Sequence, residues 1–202
     1  MTLVIPVNRG RLCVLVLPGG KPESRASSRA WQLANLRMAL LAGSLRKLSD
    51  DDVVVRRVQY RRRGWNSPRL DALRDAESAL DDARDRYVRS RFVLVGHSMG
   101  GRVAAHLSRH PDVHAVAALA PWWPDDDADL VPTGCRLLVV HGTDDRWTDP
   151  GSSRAQVRRA QERGVDARWV GLDGAGHYMM RQVREWHRLT ADFVHAQLAE
   201  QH

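Results

Sequence analysis

The fold is decided by the stretch Phe92-Val93-Leu94-Val95-Gly96-His97-Ser98-Met99-Gly100-Gly101. Its first four residues are apolar and include two β-branched valines, a pattern typical of a buried strand. The Gly-x-Ser-x-Gly sequence that follows predicts a tight turn, and residues 102–109 have helical spacing with Val103 and Leu107 on one face. The stretch therefore predicts a strand, a sharp turn at Ser98 and a helix.

The turn at Ser98 has a physical reason. Lifting a hydroxyl above the end of a sheet requires strained backbone angles at the serine, and Gly96 and Gly100 remove the Cβ atoms that would collide there. A glycine-rich turn with a chance serine has the same five-residue pattern, but the flanking strand and helix favour a serine that is presented rather than packed.

Segments with the pattern of strands alternate with segments of helical spacing along the rest of the chain. Residues 12–17 are apolar at every position, which is typical of a parallel strand covered on both faces. This alternation predicts a doubly wound sheet in an α/β protein. The predicted strands are 2–6 (a short edge strand), 12–17, 52–58, 92–95, 114–120, 136–140 and 165–170, and the predicted helices are 30–48, 68–87, 102–109, 150–163 and 178–199.

Polar residues at the starts of these helices predict their caps. Ser27 or Ser28 is expected to cap the first helix, and Ser67 to cap the second with Pro68 as its first helical residue. Asp149 is expected to cap the helix that begins at 150.

Length and composition are those of one globular domain. The chain has 202 residues, 43% of them hydrophobic, so a sizeable core is expected and disorder is not. No apolar run approaches the roughly 18 residues of a membrane span, and the start of the chain is too short for a signal-peptide core. We therefore expect a soluble cytoplasmic protein.

The net charge of +7 comes almost entirely from arginine. A dense cluster of arginines could attract nucleic acid or anionic ligands. This cluster lacks interleaved aromatic residues and the other charges are scattered among acids, so a solvated surface is the better interpretation and nucleic-acid binding is not expected. The cluster consists of Arg56, Arg57, Arg61, Arg62 and Arg63.

Residues 96–101 resemble the nucleophile elbow of the α/β-hydrolase superfamily. The resemblance extends over nearly the whole chain and implies a minimal version of that fold: a mostly parallel sheet with helices on both faces, in one domain (1–202). Members with a lid commonly insert it after the fourth of the main strands, where this chain has only a short segment, so a lidless site open to solvent is expected.

The resemblance also implies a catalytic triad. A serine hydroxyl needs a base within hydrogen-bonding distance, and the base needs a carboxylate to hold its tautomer. The run from His141 to Asp145 resembles the acid loop of the superfamily, which assigns the acid to Asp145, with Asp144 as the competitor. His177 follows the last strand, and the order Ser98, Asp145, His177 is the chain order of this fold.

The loop Pro18-Gly19-Gly20 stands where the superfamily usually has a His-Gly pair. Matching by position implies that the backbone N–H of Gly20 and that of Met99 bind the oxyanion. Pro18 departs from the family pattern, and a plain turn is the alternative interpretation of this loop.

Five aromatic residues are candidates for substrate contacts around the expected site: Trp65, Trp122, Trp123, Trp147 and Tyr178. A packed corner of the fold is the alternative for the adjacent Trp122 and Trp123. His97, which precedes Ser98, is expected to be a structural neighbour, and His141 is expected to sit at the end of a strand, as its counterpart in the resembling superfamily does.

No metal or cofactor is expected. His106 and His110 share a helix face, but no further ligand stands at a suitable spacing. In the fold that the resemblance implies, Cys13 and Cys135 lie on strands three positions apart, beyond disulfide reach, so free thiols are expected.

The expected activity is hydrolysis of a small-molecule carboxylic ester or thioester through an acyl-enzyme on Ser98, without a cofactor. The alternative is a non-catalytic binding protein that retains the fold. The sequence indicates neither the substrate's identity nor the oligomeric state.

Overall fold

The computed structural model describes residues 12–48 and 52–198, so the edge strand predicted at 2–6 lies outside the described residues. Strands and helices alternate throughout the described part. Its elements are β1 (Leu12–Leu17), α1 (Leu33–Leu48), β2 (Val53–Arg57), α2 (Asp71–Arg86), β3 (Arg91–His97), α3 (Met99–Leu107), β4 (Val113–Leu119), a 3₁₀ turn (Asp127–Leu130), β5 (Arg136–Gly142), α4 (Pro150–Glu162), β6 (Ala167–Leu172) and α5 (Val183–Ala196).

The described strands form one parallel sheet in the order β2-β1-β3-β4-β5-β6. The chain runs outward from β1 to β2 and then returns to the other side of β1 with β3, so the order reverses between β1 and β3. Ligand sites of open parallel sheets form at the carboxyl ends of the strands beside such a reversal. At this edge, β1 leads into the Pro18–Gly20 loop and β3 into Ser98.

Helices cover both faces of the sheet, as predicted. On β1, alternate side chains enter two separate cores: Leu12, Val14 and Val16 join one, while Cys13, Leu15 and Leu17 join the other. The first core includes Met38 from α1 and Trp186 from α5, and the second is covered by residues from α2, α3 and α4. Burial on both faces explains why every residue of this strand is apolar.

Two helices begin later than their sequence pattern predicts. The segment before α1 pairs with the segment before α2: Ser27 bridges to Arg62, and the Asn66 side chain accepts the N–H of Ser24 at 2.7 Å. These contacts hold the chain extended, so neither Ser27 nor Ser28 caps α1, which begins at Leu33. The prediction of Ser67 and Pro68 as the start of α2 is also wrong, because Leu70 adopts a left-handed conformation (φ 52°) and the helix follows it.

The start of α5 is displaced for a similar reason, whereas α4 begins as predicted. Met179 and Gln182 both have φ of 56°, so the chain makes turns through this segment and helical geometry begins only at Val183. Asp149 does cap α4, since its carboxylate accepts the N–H of Gly151 at 2.8 Å.

Both cysteines are free and buried. Cys13 lies on β1, and Cys135 immediately precedes β5, three positions away in the sheet. Burial raises the pKa of each thiol to about 12, which disfavours the reactive thiolate. Among the described helices, none is long and apolar enough to cross a membrane.

Candidate active site

Ser98 occupies a strained position between β3 and α3. Its φ of 55° and ψ of −117° lie outside the regions that L-residues prefer. A Cβ on Gly96 would lie 2.1 Å from the carbonyl oxygen of Gly100, and one on Gly100 would lie 2.2 Å from that of Leu17. Only glycines fit here, so the sequence pattern and the sharp turn have the same steric cause.

The structure brings Ser98, His177 and Asp145 together from the ends of β3, β6 and β5. The Nε2 of His177 lies 3.1 Å from the Ser98 Oγ, and its Nδ1 lies 2.8 Å from Oδ2 of Asp145. All three residues are more than nine-tenths buried. Asp144, the competing acid, is exposed to solvent.

Asp145 is held by hydrogen-bond donors on both oxygens. Its Oδ1 accepts the backbone N–H groups of Trp147 (2.8 Å) and Thr148 (3.0 Å), and its Oδ2 accepts the Thr148 hydroxyl at 2.8 Å. Burial alone would raise the pKa of Asp145, but side-chain hydrogen bonds from His141 and His177, with the two backbone bonds, hold it well below its usual range. The carboxylate is therefore ionised and acts only as an acceptor.

His141 is the second imidazole on this carboxylate, a contact that the sequence reasoning missed. Its Nε2 lies 3.1 Å from Oδ2 of Asp145 and 3.1 Å from the Thr148 hydroxyl. Because an ionised carboxylate only accepts, this nitrogen carries a proton and donates it. The other ring nitrogen, Nδ1, lies 2.8 Å from the Ser153 hydroxyl, whose oxygen accepts the indole N–H of Trp169 at 3.0 Å.

His97 supports the main chain at His177, in keeping with its expected place as a structural neighbour. Its Nε2 lies 2.8 Å from the carbonyl oxygen of His177, so this nitrogen is the donor, and the two rings are 4.9 Å apart. Burial, followed by the nearby charges of His177 and Arg37, lowers the pKa of His97 well below its ordinary value. We conclude that His97 is neutral and positions the loop that carries His177.

The loop expected to bind an oxyanion lies against the elbow. A Cβ on Gly20 would lie 2.3 Å from the Met99 side chain, and a Cβ on Gly19 would lie 3.4 Å from that of Ser98. Met99 is the first residue of α3, where backbone N–H groups lack helical partners. Within the described residues, no acceptor takes the N–H of Met99 or Gly20. That these two N–H groups bind an oxyanion stays a prediction.

Comparison with protein families agrees with this geometry. Residues 14–134, more than half of the chain, match the model of the alpha/beta hydrolase family. The chain belongs to this family.

Individual relatives of this α/β hydrolase are distant. The chain is 32% identical to Cutinase est2 of Thermobifida alba over 112 residues, which are 52% of this chain but only 34% of that protein. The chain thus spans about a third of the length of the curated relative that it matches.

Solved structures show the same fold. An alpha-beta serine hydrolase homologue from Coxiella burnetii superposes with a TM-score of 0.71 at 18% identity, covering 94% of this chain and 87% of that one. A serine hydrolase without a lid from Xanthomonas campestris superposes with a TM-score of 0.70 at 16% identity, covering 96% and 85%. In the α/β hydrolase described here, the segment between β4 and β5 holds a single 3₁₀ turn.

The aromatic candidates fall into two groups, and Trp65 does not lie at the rim. Trp65 is 3% exposed and packs against the guanidinium of Arg102 at 4.6 Å, with Trp122 at 4.9 Å from the same cation. Asp127 pairs with Arg102 at 2.9 Å. The prediction for Trp65 is wrong because this cation-aromatic cluster draws the ring into the second core. Trp123 is also buried, with its indole N–H donated to the carbonyl oxygen of Gly101.

Trp147 and Tyr178 lie at the surface near His177. Trp147 is 71% exposed and Tyr178 is 45% exposed, and their rings are 5.9 Å apart. The ring of Tyr178 is in turn 5.5 Å from that of His177. Next to them is a cleft of about 240 Å³, lined by Pro121, Trp122, Trp123, Pro124, Trp147, Thr148, Asp149, Ser152 and Ser153.

The described residues contain no group of three or more His, Cys, Asp or Glu side chains arranged to hold a metal ion. His106 lies on α3, whereas His110 lies beyond the end of that helix. The Nε2 of His106 is 3.2 Å from Oδ1 of Asp127, and its ring is 5.0 Å from that of Trp65.

Proposed function

We propose that this protein is a serine hydrolase that cleaves a carboxylic ester or thioester through an acyl-enzyme on Ser98. The observation that carries the proposal is the chain of hydrogen bonds from the hydroxyl to the carboxylate. The distance is 3.1 Å from Ser98 Oγ to His177 Nε2 and 2.8 Å from His177 Nδ1 to Asp145 Oδ2. A serine, an imidazole and a carboxylate in this arrangement perform general-base-assisted acyl transfer.

The reaction proceeds in two steps. Ser98 attacks the substrate carbonyl while His177 takes its proton, and Asp145 stabilises the imidazolium that forms. The backbone N–H groups of Gly20 and Met99 bind the oxyanion, and His177 then gives its proton to the leaving group. Water, activated by the same imidazole, hydrolyses the acyl-enzyme and restores Ser98.

Ester chemistry is supported by the partial likeness to a cutinase and by the shape of the site. The exposed rings of Trp147 and Tyr178, together with the cleft that Trp122 and Trp147 line, offer aromatic surfaces near His177. Such surfaces suit an acyl or aromatic group of a small-molecule substrate. The thioester alternative uses the same apparatus, and the cytoplasmic location stays a prediction.

An active-site probe tests this proposal. A fluorophosphonate is expected to label the protein once per chain and to leave the Ser98→Ala variant unlabelled. Ser152→Ala is the matched control, because Ser152 lines the neighbouring cleft and should not affect labelling. The Ser98→Ala variant should also lose hydrolysis of nitrophenyl esters and thioesters. Labelling that persists in Ser98→Ala would rule out this nucleophile.

A binding protein that had only kept the fold would give a different result. Absence of turnover across a broad panel of esters and thioesters, with the hydrogen bonds of Ser98, His177 and Asp145 intact, would favour that alternative. Nucleic-acid binding through the arginine cluster would be recognised by an affinity that falls steeply with added salt. One arginine of that cluster, Arg61, is already paired with a carboxylate, that of Asp75 at 2.6 Å.

A further inference from the structure

Arg37 brings a positive charge to the mouth of the site. It projects from α1, and its guanidinium carbon lies 5.1 Å from the centre of the Tyr178 ring. That ring is 5.5 Å from the ring of His177. A cation held on Tyr178 is therefore one aromatic ring away from the proposed base.

The charge of Arg37 is not neutralised by the described protein. Within residues 12–48 and 52–198, its guanidinium has neither a salt bridge nor a hydrogen bond, and its Nε is buried without a partner. Arg102, which lies on α3, shows the contrast. It also packs on aromatic rings, but it pairs with both Asp125 and Asp127.

Among the described residues, Arg37 lacks the carboxylate partners that hold Arg102 in the fold. Burial lowers the pKa of Arg37, which reflects the cost of holding the charge away from water. A guanidinium nonetheless stays protonated, and its N–H donors match the two oxygens of a carboxylate or phosphate. An anion bound here would offset the burial cost and satisfy the open donors.

Exposed apolar side chains flank Arg37 and Tyr178. Leu33 lies one helical turn before Arg37 on α1 and is 76% exposed, and Met180, two residues after Tyr178, is 75% exposed. Tyr178 bridges the distance between Arg37 and His177. A chain of methylene groups lying across these side chains would connect an anion at Arg37 with a carbonyl at Ser98.

We propose that Arg37 binds an anionic oxyacid group, carboxylate or phosphate, at the far end of the substrate. The substrate class is then an ester or thioester with an anionic terminus separated from the scissile bond by an apolar spacer. This inference rests on the proposed hydrolase function.

Matched substrates test the inference. The 4-nitrophenyl ester of adipic acid with its second carboxyl group free is compared with the same ester in which that group is methylated. A second pair carries a terminal phosphate monoester or a neutral hydroxyl on the same spacer. Because a hydrogen bond to a charged group is worth on the order of a tenfold difference or more, kcat/KM for the anionic member of at least one pair should exceed that of its neutral partner about tenfold.

Substitution of Arg37 should remove this preference. In Arg37→Gln the ratio of kcat/KM for the anionic ester to that for the neutral ester should fall close to one, with the neutral ester hydrolysed as before. Arg37→Lys should retain part of the preference, because lysine keeps the positive charge but lacks the planar pair of N–H donors of a guanidinium. Arg56→Gln is the matched control. Arg56, on β2, likewise has a buried nitrogen without a partner, but it lies over the ring of Tyr87 (5.8 Å), which follows α2, rather than over the ring of Tyr178.

The outcomes separate this inference from the function on which it rests. If the wild-type protein hydrolyses the neutral esters but shows no preference in either pair, the role of Arg37 is refuted and the hydrolase function stands. If Arg37→Gln lowers both members of a pair equally, Arg37 only packs against Tyr178 and the inference is again refuted. If neither pair is hydrolysed and Ser98 does not react with a fluorophosphonate, the proposed function fails and the inference fails with it.

Discussion

Replacement of His141 by phenylalanine tests how the Asp145 carboxylate is held. The ring of His141 is fully buried, and it donates to Oδ2 of Asp145 at 3.1 Å while facing the Ser153 hydroxyl at 2.8 Å. Phenylalanine keeps most of the volume and removes both contacts. Asp145 then keeps its bonds from His177 and Thr148 but loses one imidazole donor.

The size of the effect follows from the number and kind of bonds that are lost. A hydrogen bond to a charged group contributes about 1.5–3 kcal/mol, so His141→Phe should lower the free energy of unfolding by roughly that amount. A small displacement of Asp145 misorients His177, and misplacement on the order of 1 Å costs up to about 100-fold in rate. We expect kcat for a neutral nitrophenyl ester to fall between about 10-fold and 100-fold, with little change in KM.

The pH dependence of stability separates positioning from general damage. With one donor fewer, the pKa of Asp145 should rise toward its usual range, so the loss of stability on acidification should be shallower in His141→Phe than in wild type. The other rings that face His177 are those of His97 and Tyr178, and neither is altered by the substitution.

His141→Gln is the matched variant, because its side-chain amide retains an N–H near Asp145. It should recover most of kcat and bring the pH dependence of unfolding back toward that of wild type. Wild-type kcat and an unchanged pH dependence of unfolding in His141→Phe would refute the reasoning. An equal loss of kcat in the Phe and Gln variants, without any change in the pH dependence of unfolding, would show that His141 only fills space.

Further predictions concern the acid, the elbow and the aromatic residues. Asp145→Asn should lower kcat by about 10⁴-fold by favouring the wrong imidazole tautomer. Because folding depresses the pKa of Asp145, the wild-type carboxylate should also stabilise the fold above pH ~4 and lose that contribution on acidification. In denaturant unfolding, the free energy of unfolding should therefore fall more steeply with decreasing pH for wild type than for this variant. Gly96→Ala should lower the melting temperature or prevent folding, since its Cβ would lie 2.1 Å from the Gly100 oxygen, and an unchanged melting temperature would contradict the described turn. Trp65→Ala should cost about 3–5 kcal/mol in chemical unfolding. Trp147→Ala should leave stability nearly unchanged while raising KM for aryl esters. If Trp147→Ala destabilised the protein and Trp65→Ala did not, the assignment of Trp65 to the core and Trp147 to the rim would be wrong.

The helix boundaries show where a local pattern stops being informative. Apolar spacing predicted that a helix occupies the region of α1, since spacing records which face of an element is buried. Its starting residue depended on the pairing of Ser27 with Arg62 and of Ser24 with Asn66, which join segments about 35 to 42 residues apart. Nothing in a local window reports such contacts.

The sequence by itself determined the strand, turn and helix around Ser98, because the steric need for glycine and the burial of a parallel strand are properties of neighbouring residues. It also placed candidate acid and base residues at the ends of strands, in a known chain order. Only the tertiary structure decided that His141 shares Asp145 with His177, that Trp65 is drawn into the core by Arg102, and that Arg37 rests unpaired on Tyr178. Each of these contacts joins side chains from different elements, so it depends on how helices and strands pack against one another rather than on the periodicity within any one of them.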